Sequence, residues 1–308
     1  MSNSIADTID NQETDDDTSG YLTTEASSEQ LDFDGLFSNR FSNIKLIYSS
    51  SRGPTEIYAA TRYGRRYILK GLKCQYVNDP IYNLGLVKEF EIGILMDHSN
   101  IRRTLSLEVV DGIGKVRVME YVDGESLESL IASRRMTVDD GRAICRQIAD
   151  ALSYIHRKQI FHRDIKPSNI LVAHQDATVK VIDFNLSDSG DYIVLKNPAG
   201  SGKYMAPEQM KTDAVPSAAA DIYSLGVVMN EIAEVTGDDR LSHLAGKCIN
   251  PNPKKRPASV SYIVSQLGQP SFVRSLSEII SSGILTYILV TICALLTAFI
   301  GWKLLVSY

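Results

Sequence analysis

The sequence predicts an α+β chain with two lobes and one transmembrane helix near its C-terminal end. Residues 43–122 consist of short apolar segments typical of strands, with one helical stretch near Leu84–Asp97. Residues 123–268 are dominated by helical periodicity, and residues 279–302 form an apolar run without charge. A small β-rich part followed by a larger helical part indicates two lobes with a cleft between them.

The charge of the chain is concentrated at its beginning. The 308 residues carry a net charge of −5, and 44% of them are hydrophobic. Residues 1–39 include ten acidic residues and no Lys or Arg, so the remainder carries about +5. This near balance does not indicate a nucleic-acid partner, and we expect none.

Residues 1–42 are rich in Ser, Thr, Asp and Glu and poor in large apolar residues, which predicts a disordered acidic tail. The tail is either a segment for autophosphorylation or partner binding, or a solubilising extension. It lacks the basic start and apolar core of a signal peptide. The four cysteines are far apart in the sequence, which favours free thiols in a reducing compartment.

The C-terminal apolar run from Ile279 to Trp302 contains 24 residues and no charged side chain. At about 1.5 Å per helical residue, it is long enough to cross a bilayer core of about 30 Å. With residues 269–278 as a juxtamembrane linker, this predicts a single-pass tail anchor. We expect residues 1–278 to face the cytosol.

Two polar clusters follow strand-like segments and carry the chemistry. In IFHRDIKPSNIL, residues 160–171, an apolar start leads to His162, Arg163 and Asp164, and then to Lys166 and Asn169. In VIDFNLSD, residues 181–188, a short buried strand is expected to end with Asp183 at its exposed tip. These motifs, in this order, resemble the eukaryotic-type protein kinases, and the form DIKPSN resembles their Ser/Thr branch. The resemblance covers residues 43–268, divided into lobes 43–122 and 123–268.

The resemblance implies a bilobal protein-kinase fold that transfers phosphate from ATP to protein hydroxyls. Asp164 matches the catalytic base, and Lys166 matches the lysine that steadies the transferred phosphoryl group. Asn169 and Asp183 match the ligands of Mg²⁺, or of Mn²⁺ in its place, because both offer hard oxygen atoms.

Lys70, at the end of the strand-like YILK, matches the phosphate-binding lysine, whose usual partner is a Glu on the next helix. Glu89 and Glu91 are the two candidates, and they lie about 200° apart on a helix, so only one can face Lys70. Glu89 has the family's spacing to the HSNI segment, which favours it. Glu91 instead has Leu95 four residues later, where kinases often place an apolar side chain.

The expected ATP site departs from the family at three places. In SSSRGPT, residues 49–55, the family's glycine positions hold Ser50, Arg52 and Thr55. Ile68 replaces a small residue above adenine, and Asn185 replaces the Gly of the DFG motif. The resemblance implies further adenine contacts from Ile57 and, at a hinge after Met119, from the backbones of Glu120 and Val122.

Three positions match structural elements of protein kinases. Glu208 in MAPEQ is expected to pair with Arg256 in KKRPAS, and Asp221 is expected to brace the catalytic loop. Kinases of small molecules with a related fold generally lack the Glu–Arg arrangement, so protein substrates are implied. In the activation segment, Ser187 and Ser189 are candidates for regulatory phosphorylation or are ordinary loop serines. Ser201 matches a Thr of the family that packs near the catalytic Asp, so it is either a structural or an active-site residue.

The sequence therefore predicts a membrane-anchored Ser/Thr protein kinase, and two anchored chains brought together could phosphorylate each other's tails as a homodimer. Two alternatives stay open. One is a membrane-anchored pseudokinase that acts as a scaffold and binds nucleotide weakly or not at all. The other is a kinase-fold enzyme that acts on a small molecule.

Overall fold

The first lobe is an antiparallel five-stranded sheet with the strand order β1-β2-β3-β5-β4. The computed structural model describes residues 40–51, 53–183, 202–210 and 215–268. Neighbouring strands along the chain pair as hairpins, except that β3 pairs with β5 and leaves β4 at the edge. The strands are β1 (Ser42–Ser49), β2 (Thr55–Arg62), β3 (Arg65–Leu72), β4 (Thr104–Val110) and β5 (Gly114–Glu120).

One helix, α1 (Pro80–Gly93), packs beside this sheet. It begins four residues before the predicted stretch because Asp79 caps it: the Asp79 carboxylate accepts hydrogen bonds from the N–H groups of Ile81 and Tyr82. Pro80 occupies the first helical position, where its missing N–H leaves no unpaired donor. The buried residues of α1 are Leu86 and Gly93.

The second lobe combines a small sheet with helices around one apolar core. The strands of the sheet have the order β6-β7-β8 and span β6 (Gly124–Ser126), β7 (Ile170–Ala173) and β8 (Val179–Val181). The described helices are α2 (Leu127–Ser133), α3 (Val138–Arg157), α4 (Ala218–Thr236), α5 (Asp239–Cys248) and α6 (Val260–Leu267). Short 3₁₀ turns include Pro167–Asn169 and Pro207–Met210.

Helix α3 follows the periodicity of its sequence. Thr137 and Asp140 form a reciprocal capping box at its start. Its apolar positions, at steps of three and four residues, are fully buried in the core: Ile144, Ile148, Leu152 and Ile155. Helix α4 is more deeply enclosed and carries Asp221 in its first turn.

Several predicted features lie outside the described residues. These are residues 1–39 of the predicted tail of residues 1–42, the span of residues 279–302, and the individual residues Arg52, Asn185, Ser187, Ser189 and Ser201. Within the described part, no helix combines the length and the apolar character needed to cross a bilayer. The predicted domain boundaries stay predictions.

Candidate active site

The loop before β7 brings three predicted residues together. Lys166 Nζ lies 2.7 Å from Asp164 Oδ2, and Asn169 Nδ2 donates to the same carboxylate oxygen at 2.8 Å. Asn169 also donates to the backbone carbonyl of Asp164 at 2.9 Å, which fixes the turn between them. The Asp164 carboxylate is therefore oriented by one cation and one amide, and its other oxygen, Oδ1, is the one left for a substrate hydroxyl.

Asp221 holds this loop from below. Its side chain is fully buried at the start of α4, and its two carboxylate oxygens accept hydrogen bonds from the backbone N–H groups of His162 and Arg163, at 2.9 and 2.8 Å. The Nε2 atom of His156 lies 2.7 Å from the same carboxylate. Arg163 has a φ of 67°, a left-handed conformation that these contacts stabilise. The predicted brace is thus present.

His162 connects the two polar motifs of the sequence. Its Nδ1 accepts from the Asp164 N–H, and its Nε2 donates to the carbonyl of Ile182, at 3.3 and 3.1 Å. One nitrogen accepts and the other donates, which is the pattern of a neutral imidazole. Burial lowers the pKa of His162, although Asp221 opposes that shift, so the ring is neutral near pH 7.

Lys70 pairs with Glu89 and not with Glu91. The distance from Lys70 Nζ to Glu89 Oε2 is 2.7 Å, whereas Glu91 is exposed on the other side of α1. Lys70 also reaches Asp183, with 3.7 Å between Nζ and Oδ1. A residue of the first lobe is therefore linked electrostatically to the motif that follows β8.

The sequence predicted that Asp183 would be exposed at the end of a strand, but its side chain is partly buried. Its side chain retains 27% exposure, because Arg102 and Arg117 approach it along with Lys70. The distances from Oδ1 to the two guanidinium groups are 3.4 and 3.8 Å. Burial by itself would raise the pKa of Asp183, but the three cations outweigh it and hold the pKa well below its usual range. The backbone φ of 55° is left-handed, which marks a strained position at a functional site.

Sequence reasoning missed Arg102 and Arg117. The side chain of Arg102 is 6% exposed and that of Arg117 is 3% exposed. A signal was present in VRVME: Val116 and Val118 alternate with Arg117, so Arg117 must point to the opposite face of β5. That face carries Lys70 directly across on β3.

The expected adenine side is apolar. Ile68 on β3 stands opposite Met119 on β5, and both side chains are buried. Ile57 on β2 is opposite Lys70 and is half-buried. Glu120 ends β5, and Val122 lies in the connection that leads to β6 and the second lobe.

Hydrogen bonds within the loop between β1 and β2 stabilise its conformation. The Ser50 N–H donates to the Thr55 carbonyl at 3.0 Å, and the Ser50 hydroxyl accepts from the Gly53 N–H at 2.8 Å. The ammonium group of Lys73 donates to the Ser50 carbonyl. Two backbone N–H groups that could face a phosphate are therefore used within the loop.

The oxygen atoms of Asn169 and Asp183 suit a hard divalent cation. Because the Nδ2 of Asn169 is engaged by Asp164, its Oδ1 is the atom available for a metal. The described ranges hold no cluster of three or more His, Cys, Asp or Glu side chains with metal-binding geometry. Asn169 and Asp183 would hold a bound Mg²⁺, and phosphate or water oxygens suit the other positions of its shell.

Glu208 and Arg256 form the predicted pair. The guanidinium donates to both carboxylate oxygens, at 2.6 and 2.8 Å, and also to the carbonyls of Ala219 and Asn250. The pair joins the turn Pro207–Met210 to the loop before α6.

Comparison with known proteins agrees with this geometry. A family model described as the protein kinase domain matches residues 55–237, which is more than half of the chain. The chain belongs to the protein kinase family. Crystal structures of the kinase domain of Mycobacterium tuberculosis PknI share its fold, with a TM-score of 0.57 and 21% identity over 74% of this chain and 96% of that domain.

Several curated relatives of this kinase-family chain are named as serine/threonine-protein kinases. It is 33% identical over 201 residues to the serine/threonine-protein kinase PrkC of Bacillus subtilis, covering 63% of this chain and 30% of that protein. It is 32% identical over 198 residues to the CBL-interacting serine/threonine-protein kinase 21 of Arabidopsis thaliana, covering 62% and 43%. The matched region thus spans less than half the length of these relatives.

Proposed function

We propose that this protein is an ATP-dependent Ser/Thr protein kinase. The observation that carries the proposal is the position of Lys70, 2.7 Å from Glu89 and 3.7 Å from Asp183. This arrangement places a cation where two motifs far apart in the sequence meet. Such a cation, next to the Asp164 loop, suits the binding of a nucleotide triphosphate and the transfer of its terminal phosphoryl group.

In the proposed reaction, Asp164 orients a Ser or Thr hydroxyl and accepts its proton as the hydroxyl oxygen bonds to the γ-phosphorus. The bond from that phosphorus to the β–γ bridging oxygen breaks, and ADP leaves. Lys166, held against Asp164, offsets negative charge on the transferred group. Mg²⁺, held by Asn169 and Asp183 when bound, would supply charge neutralisation on the phosphate oxygens.

Membrane attachment is part of the proposal and rests on the uncharged run of residues 279–302. A tail anchor with the kinase domain on the cytosolic side would confine its protein substrates to the same surface. Two chains on one membrane would meet at a raised effective concentration. The Ser- and Thr-rich residues 1–42 are then the proposed targets of autophosphorylation between chains.

A pseudokinase is the second candidate function, and one observation favours it. The loop that would cover the phosphates uses its Ser50 and Gly53 N–H groups internally. A protein with such a loop could bind nucleotide poorly and act as a scaffold. The oriented Asp164 carboxylate argues for the enzyme, because packing alone does not require Lys166 beside it.

The deciding experiment incubates the full chain in detergent with labelled ATP, Mg²⁺ and a mixed protein substrate. We expect incorporation into Ser and Thr that is lost in Asp164→Ala and in Lys70→Met. Retained incorporation in both variants would reveal a contaminating kinase. No incorporation by the folded wild type would favour the pseudokinase.

A further inference from the structure

Two buried arginines stand behind the proposed metal ligand. Arg102 Nη2 and Arg117 Nη2 lie 3.4 and 3.8 Å from Asp183 Oδ1. Arg117 also donates to the backbone carbonyl of Glu89 at 3.2 Å and lies 3.6 Å from its carboxylate. Both arginines therefore belong to the same charge cluster as Lys70.

The cluster carries an excess of positive charge. Among the described residues, three cations, Lys70, Arg102 and Arg117, face two carboxylates, those of Glu89 and Asp183. The nearby carboxylate of Glu120 is already paired with Lys180, at 2.8 Å. With the neutral His162, these described side chains have a net charge of about +1.

This cluster of charges destabilises the folded state when no ligand is bound. Lys70 and Arg117 are directly opposite on β3 and β5, and like charges at such a position repel. The Nε atom of Arg117 is buried and has no hydrogen-bond partner among the described residues. Arg62 shares the unpaired Nε, but at Arg117 it coincides with a like charge directly opposite. Both features destabilise the fold, and together they favour a role in ligand binding.

A cation excess at this point has opposite effects on the two ligands of a kinase. It attracts the polyanionic triphosphate, and it repels a divalent cation that approaches Asp183. In a low-dielectric setting these effects are larger than at the surface, and both arginines are buried.

We propose that Arg102 and Arg117 make nucleotide binding by this protein nearly independent of divalent cations. The inference rests on the proposed nucleotide site and adds two positioning residues to it. The arginines act through Asp183 and through the field at the phosphate position, taking over part of the charge neutralisation that a metal ion would supply.

The test compares the affinity of the full chain for a fluorescent ATP analogue in EDTA and in excess Mg²⁺. For the wild type we expect the two dissociation constants to differ by less than about threefold. In Arg102→Met/Arg117→Met, Mg²⁺ should improve affinity by more than about tenfold, within the range usual for coupled ligands. Arg62→Met, which removes a half-buried arginine paired with Glu108 on another strand, should behave as wild type.

A second measurement follows the metal without nucleotide. Electron paramagnetic resonance of Mn²⁺ should show tighter binding to the double variant than to the wild type, by about tenfold or more. Should the double variant not fold, the single changes Arg102→Gln and Arg117→Gln keep a polar side chain and should shift both measurements in the same direction.

The outcomes separate the two proposals. A wild type that binds the analogue only with Mg²⁺, or arginine variants with an unchanged Mg²⁺ effect, would overturn this inference and leave the kinase proposal in place. Absence of analogue binding under both conditions would overturn the nucleotide site and, with it, this inference.

Discussion

Arg256 and Glu208 form a two-point ion pair across 48 residues of sequence, with nitrogen–oxygen distances of 2.6 and 2.8 Å. The Arg256 side chain has no solvent exposure, so its charge depends on Glu208 for compensation. The same guanidinium donates to the carbonyl of Ala219 in the first turn of α4. The pair thus fastens the turn after the activation segment to the helix that carries Asp221.

Glu208→Ala should lower the free energy of unfolding by about 3–5 kcal/mol, because it leaves a buried charge without its partner. Chemical denaturation measures the change. Asp150→Ala is the matched control, since it removes the partner of Arg146 in a partly exposed pair at 3.8 Å and should cost less than about 1 kcal/mol. Equal losses in the two variants would contradict the role assigned to burial.

Glu89→Ala and Glu91→Ala should separate the two candidate partners of Lys70. Removing Glu89 deletes the contact at 2.7 Å and should reduce kcat/KM for phosphate transfer by about a hundredfold, equivalent to about 2.7 kcal/mol. Removing the exposed Glu91 should change it by less than about twofold. Steady-state kinetics measures both, and a larger loss in Glu91→Ala would show that the pair in the structure is not the one used in catalysis.

Gly226→Ala should destabilise the second lobe. A Cβ at this position in α4 would lie 2.6 Å from Cys248 Cβ and 3.0 Å from Ile249 Cγ1, so α4 and α5 would have to separate. We expect a loss of about 1–3 kcal/mol, measured by thermal or urea unfolding. Gly246→Ala meets no atom within 4 Å and should instead stabilise by about 0.5–1 kcal/mol, because alanine favours the helix. A similar loss of stability in Gly246→Ala would show that the steric contacts of the added Cβ do not explain the effect at Gly226.

Stability should fall as the pH drops below about 6.5, the ordinary pKa of histidine. The pKa of buried His162 is lowered, so between its folded and unfolded values the unfolded chain binds a proton that the folded chain does not. The contribution of the neutral His162 to the free energy of unfolding is fully present above the pKa of histidine in the unfolded chain. It is lost as the pH falls toward the lower pKa of His162 in the folded protein. Burial also lowers the pKa of His98, which adds to the same slope.

Urea unfolding at several values between pH 5.5 and 7.5 would measure this slope. In His162→Gln the slope should decrease by up to one proton per molecule. His243→Gln, which replaces an exposed histidine of α5, controls for the loss of a histidine as such. An unchanged slope in His162→Gln would show that other groups cause the pH dependence.

Much of the site could be predicted from short motifs because their chemistry is local. Lys166 and Asn169 follow Asp164 within five residues, and the short turn Pro167–Asn169 brings them to one carboxylate. The periodicity of apolar residues in α3 likewise predicted which of its faces is buried. The helix α1 starts four residues before the predicted stretch, because Asp79 caps it and Pro80 fits its first position.

The β-rich lobe, the helical lobe and the polar cluster of Asp164, Lys166 and Asn169 follow from local sequence patterns. The glutamate that meets Lys70 and the charge balance around Asp183 instead depend on how distant segments pack together. Arg117 is 66 positions from Asp183 and lies on β5, opposite Lys70 of β3. Arg102 is 81 positions away and is held beside β8 by the Ile101–Val181 bridge and by its own N–H bond to the Val181 carbonyl. Electrostatic interactions depend on distance and burial in space, and sequence motifs record neither for residues so far apart.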